Sequence, residues 1–236
     1  MSVKGRILQI VLVFVFLGLC VVAGFLAWGY TLYQEVLGRV SITDTINEIR
    51  ERDGFVPLED LPEYYIDAVV AVEDHRFFEH GAIDLIAILR AVVENAREGR
   101  PAAGGSTITQ QLAKNLFFTQ EKVMSRKFAE LFMAFDIESR YSKKEILEIY
   151  VNSIFFGSGH YGIKAASLGY YGVPPSEMTL YQATMLAGIP NAPSVYSLDK
   201  NPDLAKQRQG QVVKEMVRFG YLTQSEAEEL LGSDFL

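Results

Sequence analysis

SKKEILEIYVNSI, residues 142–154, is the stretch whose reading decides the fold class. Ser142 followed three residues later by Glu145 has the form of a capping box, in which the hydroxyl meets a first-turn N–H and the carboxylate reaches back. Behind it, Ile146, Leu147, Ile149, Tyr150 and Ile154 recur at helical spacing, which predicts a helix with one buried face. The same start signal returns at Thr107/Gln110, Thr179/Gln182 and Thr223/Glu226. Strand-type alternation is scarce. Glycine and proline gather in short breaks at 97–105, 157–162, 172–175 and 190–202, which punctuate a domain and do not separate domains. The expectation is one mainly α domain without internal repeats.

Toward the N-terminus the pattern changes. Residues 7–30, ILQIVLVFVFLGLCVVAGFLAWGY, carry no charge, and the charge-free run continues to Gln34. About 20 apolar residues cross the ~30 Å hydrocarbon core of a bilayer. Lys4 and Arg6 precede the run and favour a cytoplasmic N-terminus with the remainder outside. A cleaved signal peptide is the competing reading, with Val21-Val22-Ala23 as a poor cleavage site. The apolar run exceeds the roughly 7–15 residues of a signal core, and Leu19 is too bulky for lipoprotein processing at Cys20. Length therefore favours a retained transmembrane helix. The organisation expected is a cytoplasmic N-terminus (1–6), an anchor (7–30), a stalk or first helix (31–60) and a mostly helical domain (61–236).

Composition narrows the chemistry. Of 236 residues 49% are hydrophobic, which excludes a disordered chain, and the net charge of −7 argues against a partner recognised through nucleic-acid phosphates. One cysteine excludes a disulfide framework or a cysteine-based zinc site, and three histidines leave little for a metal cluster.

Three segments carry candidate chemistry. In AVEDHRFFEH (71–80), Glu73 ends an apolar run and is followed by Phe77 and Phe78. A carboxylate among apolar neighbours loses hydration and gains proton affinity, which suits a general base; a solvated surface helix is the plainer alternative. In GGSTITQQLAKN (104–115) a glycine pair leads into a helix N-terminus, where free N–H groups attract anions. Ser106, Thr107 and Gln111 add donors and Lys114 a cation, but the Gly-Lys-Ser/Thr ending of a nucleotide-binding loop is missing. In SRKFAE (125–130), Arg126 and Glu130 share a helical face. They form either an ordinary exposed ion pair or a cation and carboxylate offered to a polyanion.

Taken in order, Glu73-Asp74-x-x-Phe77-x-x-His80, GGSTITQQLAKN, Arg126-Lys127-x-x-Glu130 and KEILEIYVN (144–152) resemble the motifs of the peptidoglycan glycosyltransferases, family 51. That module occurs in bifunctional penicillin-binding proteins and in monofunctional transglycosylases. The similarity runs from about Leu61 to about Tyr221 and includes GSGHYGIKAASLGYYG (157–172) and LAGIPNAP (186–193). The resemblance implies a lysozyme-like helical fold of two lobes and the polymerisation of lipid II by inverting β-1,4 transfer, releasing undecaprenyl pyrophosphate. Glu73 matches the general base and Glu130 the second essential carboxylate. Lys114 and Arg126 match the cations at the donor pyrophosphate, with Ser106, Thr107 and Gln111 beside them. Asp74, Phe77, His80, Lys127, Tyr150 and Asn152 would line or support the cleft. No cofactor is obligatory, and a Mg²⁺ or Mn²⁺ ion at the pyrophosphate, near Glu130, is compatible with the pattern.

The resemblance further implies a lipid II donor, a growing lipid-linked glycan acceptor and a site on the bacterial inner membrane with the domain in the periplasm. Cell-wall synthesis or division proteins are the partners it suggests, and no nucleic acid. The Ser-x-x-Lys and Lys-Thr-Gly pair of a penicillin-binding module is not present as a set, so the monofunctional form is expected. One departure stands out: the family's glycine two residues after the histidine is Ala82 here, next to Gly81. The rivals are a peptidoglycan-cleaving lytic transglycosylase or lysozyme-like enzyme, for which the Lys114/Arg126 cluster has no use, and an inactive scaffold, which has no need of the whole charged set.

Overall fold

The computed structural model describes residues 3–99, 104–118 and 124–232. Among these the chain is helical and has no strand; a single bridge joins Phe155 and Tyr161 across the turn between them. The first helix, α1 (Val3–Leu37), is long and apolar enough to cross a membrane over Gln9–Leu37. At 1.5 Å per residue its 35 residues span roughly 50 Å, longer than a hydrocarbon core. Its final turns dock on the domain, as described below.

Then follow α2 (Ile42–Arg50), α3 (Glu63–Glu73), α4 (Leu85–Glu98), α5 (Ile108–Phe117), α6 (Met124–Arg140) and α7 (Lys143–Ser153). The C-terminal half holds α8 (Ile163–Tyr171), α9 (Leu180–Gly188), the single-turn α10 (Pro193–Tyr196), α11 (Pro202–Arg218) and α12 (Gln224–Leu231). The capping boxes expected at Ser142/Glu145, Thr179/Gln182 and Thr223/Glu226 are all formed. At Thr107 only half of one forms. Thr107 Oγ1 accepts from Gln110 N at 3.2 Å, but the Gln110 side chain turns away to donate to Ala82 O at 3.0 Å.

Two helical groups pack around one shared core. In one, α3, α9 and α11 pack together; in the other, α5 packs on α6 and α7. α2 joins the second group, burying Ile42, Ile46 and Ile49 in the core against α7. Segment 31–60 thus holds the end of α1, this docked helix and a turn at Leu58–Asp60. α7 is the helix read from residues 142–154, and Ile146, Leu147, Ile149 and Tyr150 are buried in it as its periodicity requires. α4 is the exception to this packing. Leu85, Ile86, Leu89, Val92 and Val93 are exposed along it and only Ala91 is buried, leaving an apolar stripe of the kind that marks an interaction surface.

α1 and α6 are in close contact. Phe25 stacks on Phe128, with ring centroids 6.0 Å apart, and Tyr30 and Tyr33 meet Phe132. Tyr33 Oη donates to Asp136 at 2.8 Å. Gly29 allows the approach: a Cβ there would stand 2.4 Å from Phe128 Cβ.

Candidate functional site

Glu73 is the last residue of α3, where that helix leaves the core of the first group and meets α5 of the second. Its stem is partly exposed, yet Oε1 is shut off from solvent and has no hydrogen-bond partner among the described residues. Oε2 accepts from Gln111 Nε2 at 2.8 Å. Burial pushes the carboxyl above the ordinary glutamate range, and the Gln111 bond and the charges of Arg208 and Lys114 only partly offset it. A helix C-terminus carries the negative end of the dipole and gives an anion no relief. The result is a desolvated carboxylate with raised proton affinity and one free oxygen.

Gln111 is itself held. Tyr150 Oη donates to Gln111 Oε1 at 3.2 Å, which fixes the amide so that its NH₂ faces Glu73. Tyr150 is almost fully buried in α7, and burial pushes its phenol well above the usual value, so it stays a donor through the working pH range. Lys114 lies one turn after Gln111 on α5 and has no ion-pair partner among the described residues.

A second group forms at the start of α6. Glu130 is 1% exposed, with Oε1 2.9 Å from Arg126 Nε and Oε2 3.0 Å from Lys127 Nζ. Lys127 Nζ also donates to Ser106 Oγ at 2.9 Å, tying this group to the residue just before the α5 cap. Both carboxylate oxygens thus stand within ion-pair distance of a cation, Oε1 meeting Arg126 as an ion pair and not as a hydrogen bond. A divalent ion asks for several oxygen ligands, of which Glu130 offers one carboxylate.

Asp74, His80 and Thr107 form a latch beneath the site. Asp74 Oδ1 pairs with His80 Nε2 at 2.8 Å, and Asp74 Oδ2 accepts the Ile108 N–H at 3.1 Å, at the first turn of α5. His80 Nδ1 faces Gly81 O at 2.6 Å. Thr107 Oγ1 donates to Ala82 O at 3.0 Å, so its hydroxyl is spent on the fold and is not offered to a ligand. The ligating atoms of Asp74, His80 and Asp84 lie within 4.8 Å of one another. They are committed elsewhere, however: Asp84 caps α4 by accepting from Ile86 N and Ala87 N, and it pairs with Arg76. Phe77 is fully buried below, with Lys143 Nζ 4.3 Å over its ring. Ala82 is buried and does not have a positive φ, so the backbone here does not require glycine.

Asn152 stands apart from these groups. Its amide accepts from Val56 N and donates to Val56 O, both at 2.8 Å, fastening the segment after α2 to α7. Arg208, in contrast, has no place in any motif named above and yet acts on Glu73. Its Nε donates to Gly188 O at 3.3 Å, and a Cβ at Gly188 would stand 2.9 Å from Arg208 Cγ. The glycine of LAGIP thus lets the α11 arginine lie across α9 toward the site. Only the packing of α9 on α11 discloses this; no local sequence signal would have.

Comparison with known proteins identifies the family. The Transglycosylase family model matches residues 41–217. The chain is 46% identical over 175 residues to penicillin-binding protein 1A of Aquifex aeolicus (strain VF5), covering 74% of this chain and 24% of that protein. It is 42% identical over 172 residues to penicillin-binding protein 1F of Bacillus subtilis (strain 168), covering 73% and 24%. A solved structure, penicillin-binding protein 1A from Haemophilus influenzae, matches with 23% identity and a TM-score of 0.45 over 76% of this chain and 17% of that one. The chain spans about a quarter of the length of the curated relatives it matches. With three quarters of its residues inside the family match, the chain belongs to the transglycosylase family, the peptidoglycan glycosyltransferases that also form a module of penicillin-binding proteins.

Proposed function

We propose that this chain polymerises lipid II into β-1,4-linked glycan, with Glu73 as general base, at the outer face of a bacterial inner membrane in which α1 is the anchor. The carrying observation is the Glu73 carboxylate: desolvated, with raised proton affinity and a free Oε1, and acted on by the Lys114 and Arg208 charges. In the reaction the acceptor 4-hydroxyl gives its proton to Glu73 as its oxygen bonds to the donor anomeric carbon. The bond from that carbon to the pyrophosphate oxygen breaks from the opposite face, its electron pair leaving with the diphosphate, and configuration inverts. A diphosphate leaves as an anion, so the site needs a base and cations and has no need of a second carboxyl as acid. Lys114 and Arg126 supply the positive charge. Glu130, held between Arg126 and Lys127, acts as a positioning residue for those cations.

A lytic enzyme is the reading this argument displaces, because cleavage of a sugar ether calls for protonation of its leaving oxygen. The deciding experiment is product analysis of the full chain with labelled lipid II beside Glu73→Gln. Long muramidase-sensitive glycan from the wild type alone is the expected result. Shortening of preformed glycan, or equal product from both proteins, would overturn the assignment.

A further inference from the structure

The residues that follow one another at the end of α3 are tied to different elements. Glu73 accepts from Gln111 of α5, Asp74 accepts from Ile108 N at the start of α5, and Arg76 pairs with Asp84 at the cap of α4. His75 reaches α11 instead. Its ring lies almost flat on that of Phe219, with centroids 4.0 Å apart and 11° between the planes. Glu73 and Asp74 thus fasten this segment to the second helical group, and His75 fastens it to the first. Phe219 is itself fixed. It caps α11, its N–H donates to Glu215 O at 3.0 Å, and Gly220 takes a left-handed φ of 80°, so that Tyr221 N donates back to Met216 O at 2.9 Å. Met216 is fully buried, and the Arg218 guanidinium lies 5.3 Å from the centre of the Phe219 ring. Burial and the charges of Arg90 and Arg76 push the His75 imidazole below its usual value, and Asp74 and Asp84 only partly offset them. The ring that stacks is the neutral one.

We propose that His75 is a positioning residue for the base: its stack on Phe219 holds the backbone just beyond Glu73 against α11 and so keeps the carboxylate buried where the acceptor hydroxyl must meet it. The inference rests on the reaction proposed above. Three observations carry it. The chain leaves α3 directly after the base, Asp74 having φ −163° and ψ 76°, so side-chain anchors fix what the helix no longer does. The anchors of Glu73 and Asp74 both lie on α5, and the His75 ring supplies the opposing one on α11. Glu73 Oε1 is shut off from solvent although its stem is partly exposed, so a small displacement of this segment is enough to hydrate it. His75 occupies an open position of the Glu73-Asp74-x-x-Phe77 motif, and its partner stands 144 residues away at the end of another helix.

The test reads Glu73 itself. The full chain in detergent micelles carries glutamate labelled with ¹³C at the side-chain carboxyl, and the Glu73 signal is assigned by its absence in Glu73→Gln. Its titration is followed in the wild type, His75→Ala, Phe219→Leu and His75→Phe, with lipid II turnover measured beside it. Gln111, Lys114, Arg208 and Asp74, which act on the Glu73 carboxylate, are unaltered in every variant, so a moved midpoint reports a moved carboxylate. His75→Ala and Phe219→Leu should admit water and lower the midpoint toward the ordinary glutamate value. Both should also lower kcat about 10–100-fold, the cost of a misplacement on the order of 1 Å, with KM unchanged. His75→Phe keeps a stacked ring and carries no charge, so it should retain the wild-type midpoint and turnover. Phe219→Leu covers the case in which His75→Ala does not fold. A wild-type midpoint in His75→Ala and Phe219→Leu overturns the proposal. An equal shift in His75→Phe also overturns it, since the effect would then belong to the imidazole and not to the stack. The two readings fail separately: a wild type that makes no glycan sinks the reaction, and the midpoints still decide the role of His75.

Discussion

Gln111 Nε2 lies 2.8 Å from Glu73 Oε2, and no other hydrogen bond reaches that carboxylate from the described residues. This one bond crosses between the two helical groups, from α5 to the end of α3, and it works against burial. It stabilises the ionised form of a carboxyl that desolvation pushes toward the neutral form. Only the ionised form can take a proton. Gln111→Leu should therefore raise the proton affinity of Glu73 further and move the acid limb of kcat/KM to higher pH. At mildly acidic pH the loss should reach about 10–100-fold, the worth of a hydrogen bond to a charged group, and it should shrink as pH rises. A pH–rate profile measures this; an unmoved acid limb would show that Gln111 does not tune the base.

Asp74→Asn should shift the same limb the other way. The Asp74 charge beside Glu73 raises its proton affinity, and removing it lowers that affinity. The variant is not neutral for the fold. Asp74 accepts from Ile108 N with one oxygen and meets His80 with the other, and an amide cannot accept on both sides. A loss of about 1–3 kcal/mol is expected for the unsatisfied buried partner. Opposite limb shifts in Asp74→Asn and Gln111→Leu, each with some loss of stability by chemical denaturation because Ile108 N or His80 in the first and the Tyr150 hydroxyl in the second loses its partner, is the outcome sought. Shifts in the same direction would contradict the arrangement.

Glu73→Gln should separate activity from stability. Loss of the base should cost about 10²–10⁴-fold in turnover. The folded carboxyl has a raised proton affinity, so its contribution to stability is present below the unfolded glutamate value and is lost as pH rises through the folded one. At neutral pH the wild type thus holds a buried charge that the amide does not. The variant should melt higher at pH 8, by about 2–4 °C for each kcal/mol relieved, and match the wild type near pH 4. A variant less stable at pH 8 than at pH 4, relative to wild type, would refute the sign.

How much of this was legible in the sequence depends on range. The capping boxes at Ser142, Thr179 and Thr223 are local and form as written, because hydroxyl, carboxylate or amide and N–H lie within one turn. The box at Thr107 reads the same, yet Ala82 O, 28 residues away, claims the Gln110 side chain. Asn152 sits in a motif with Tyr150, but only Tyr150 reaches the site; Asn152 serves Val56, 96 residues away, as an edge partner for its backbone. Glu73 and Lys114 are legible in their own segments, and the apolar neighbours of Glu73 already point to its desolvation; what the structure adds is the Gln111 bond and the Arg208 charge that partly offset it. Arg208 had no local signal at all, since its approach depends on a missing side chain at Gly188.

Lys114→Met should affect catalysis and spare the fold. Lys114 makes no ion pair among the described residues, so its removal should change stability by no more than about 0.5 kcal/mol. A cation aimed at a leaving diphosphate is worth about 10²–10³-fold in rate. Because the Lys114 charge also lowers the proton affinity of Glu73, the acid limb should move upward as well. Wild-type turnover of lipid II in a normally folded variant would remove Lys114 from the site.

α1 is tied to the charged group through Gly29. A side chain there would place Cβ 2.4 Å from Phe128 Cβ and 3.0 Å from the Ala129 backbone N, and Phe128 follows directly on Arg126 and Lys127 in α6. Backbone cannot yield as a flexible side-chain tip does, so Gly29→Leu should prise α1 from α6 at a cost of about 1–3 kcal/mol and displace the two cations with it. The expected readings are a lower melting temperature, a raised KM for the donor and about tenfold less glycan. Gly24→Leu is the control: a Cβ at Gly24 meets nothing within 4 Å, and the helix remains as apolar as before. Phe128→Gly combined with Gly29→Leu removes the Cβ clash and should recover part of the lost activity. Equal losses in Gly24→Leu and Gly29→Leu would mean that the helix merely tethers the domain, and that its packing on α6 has no bearing on the charged site.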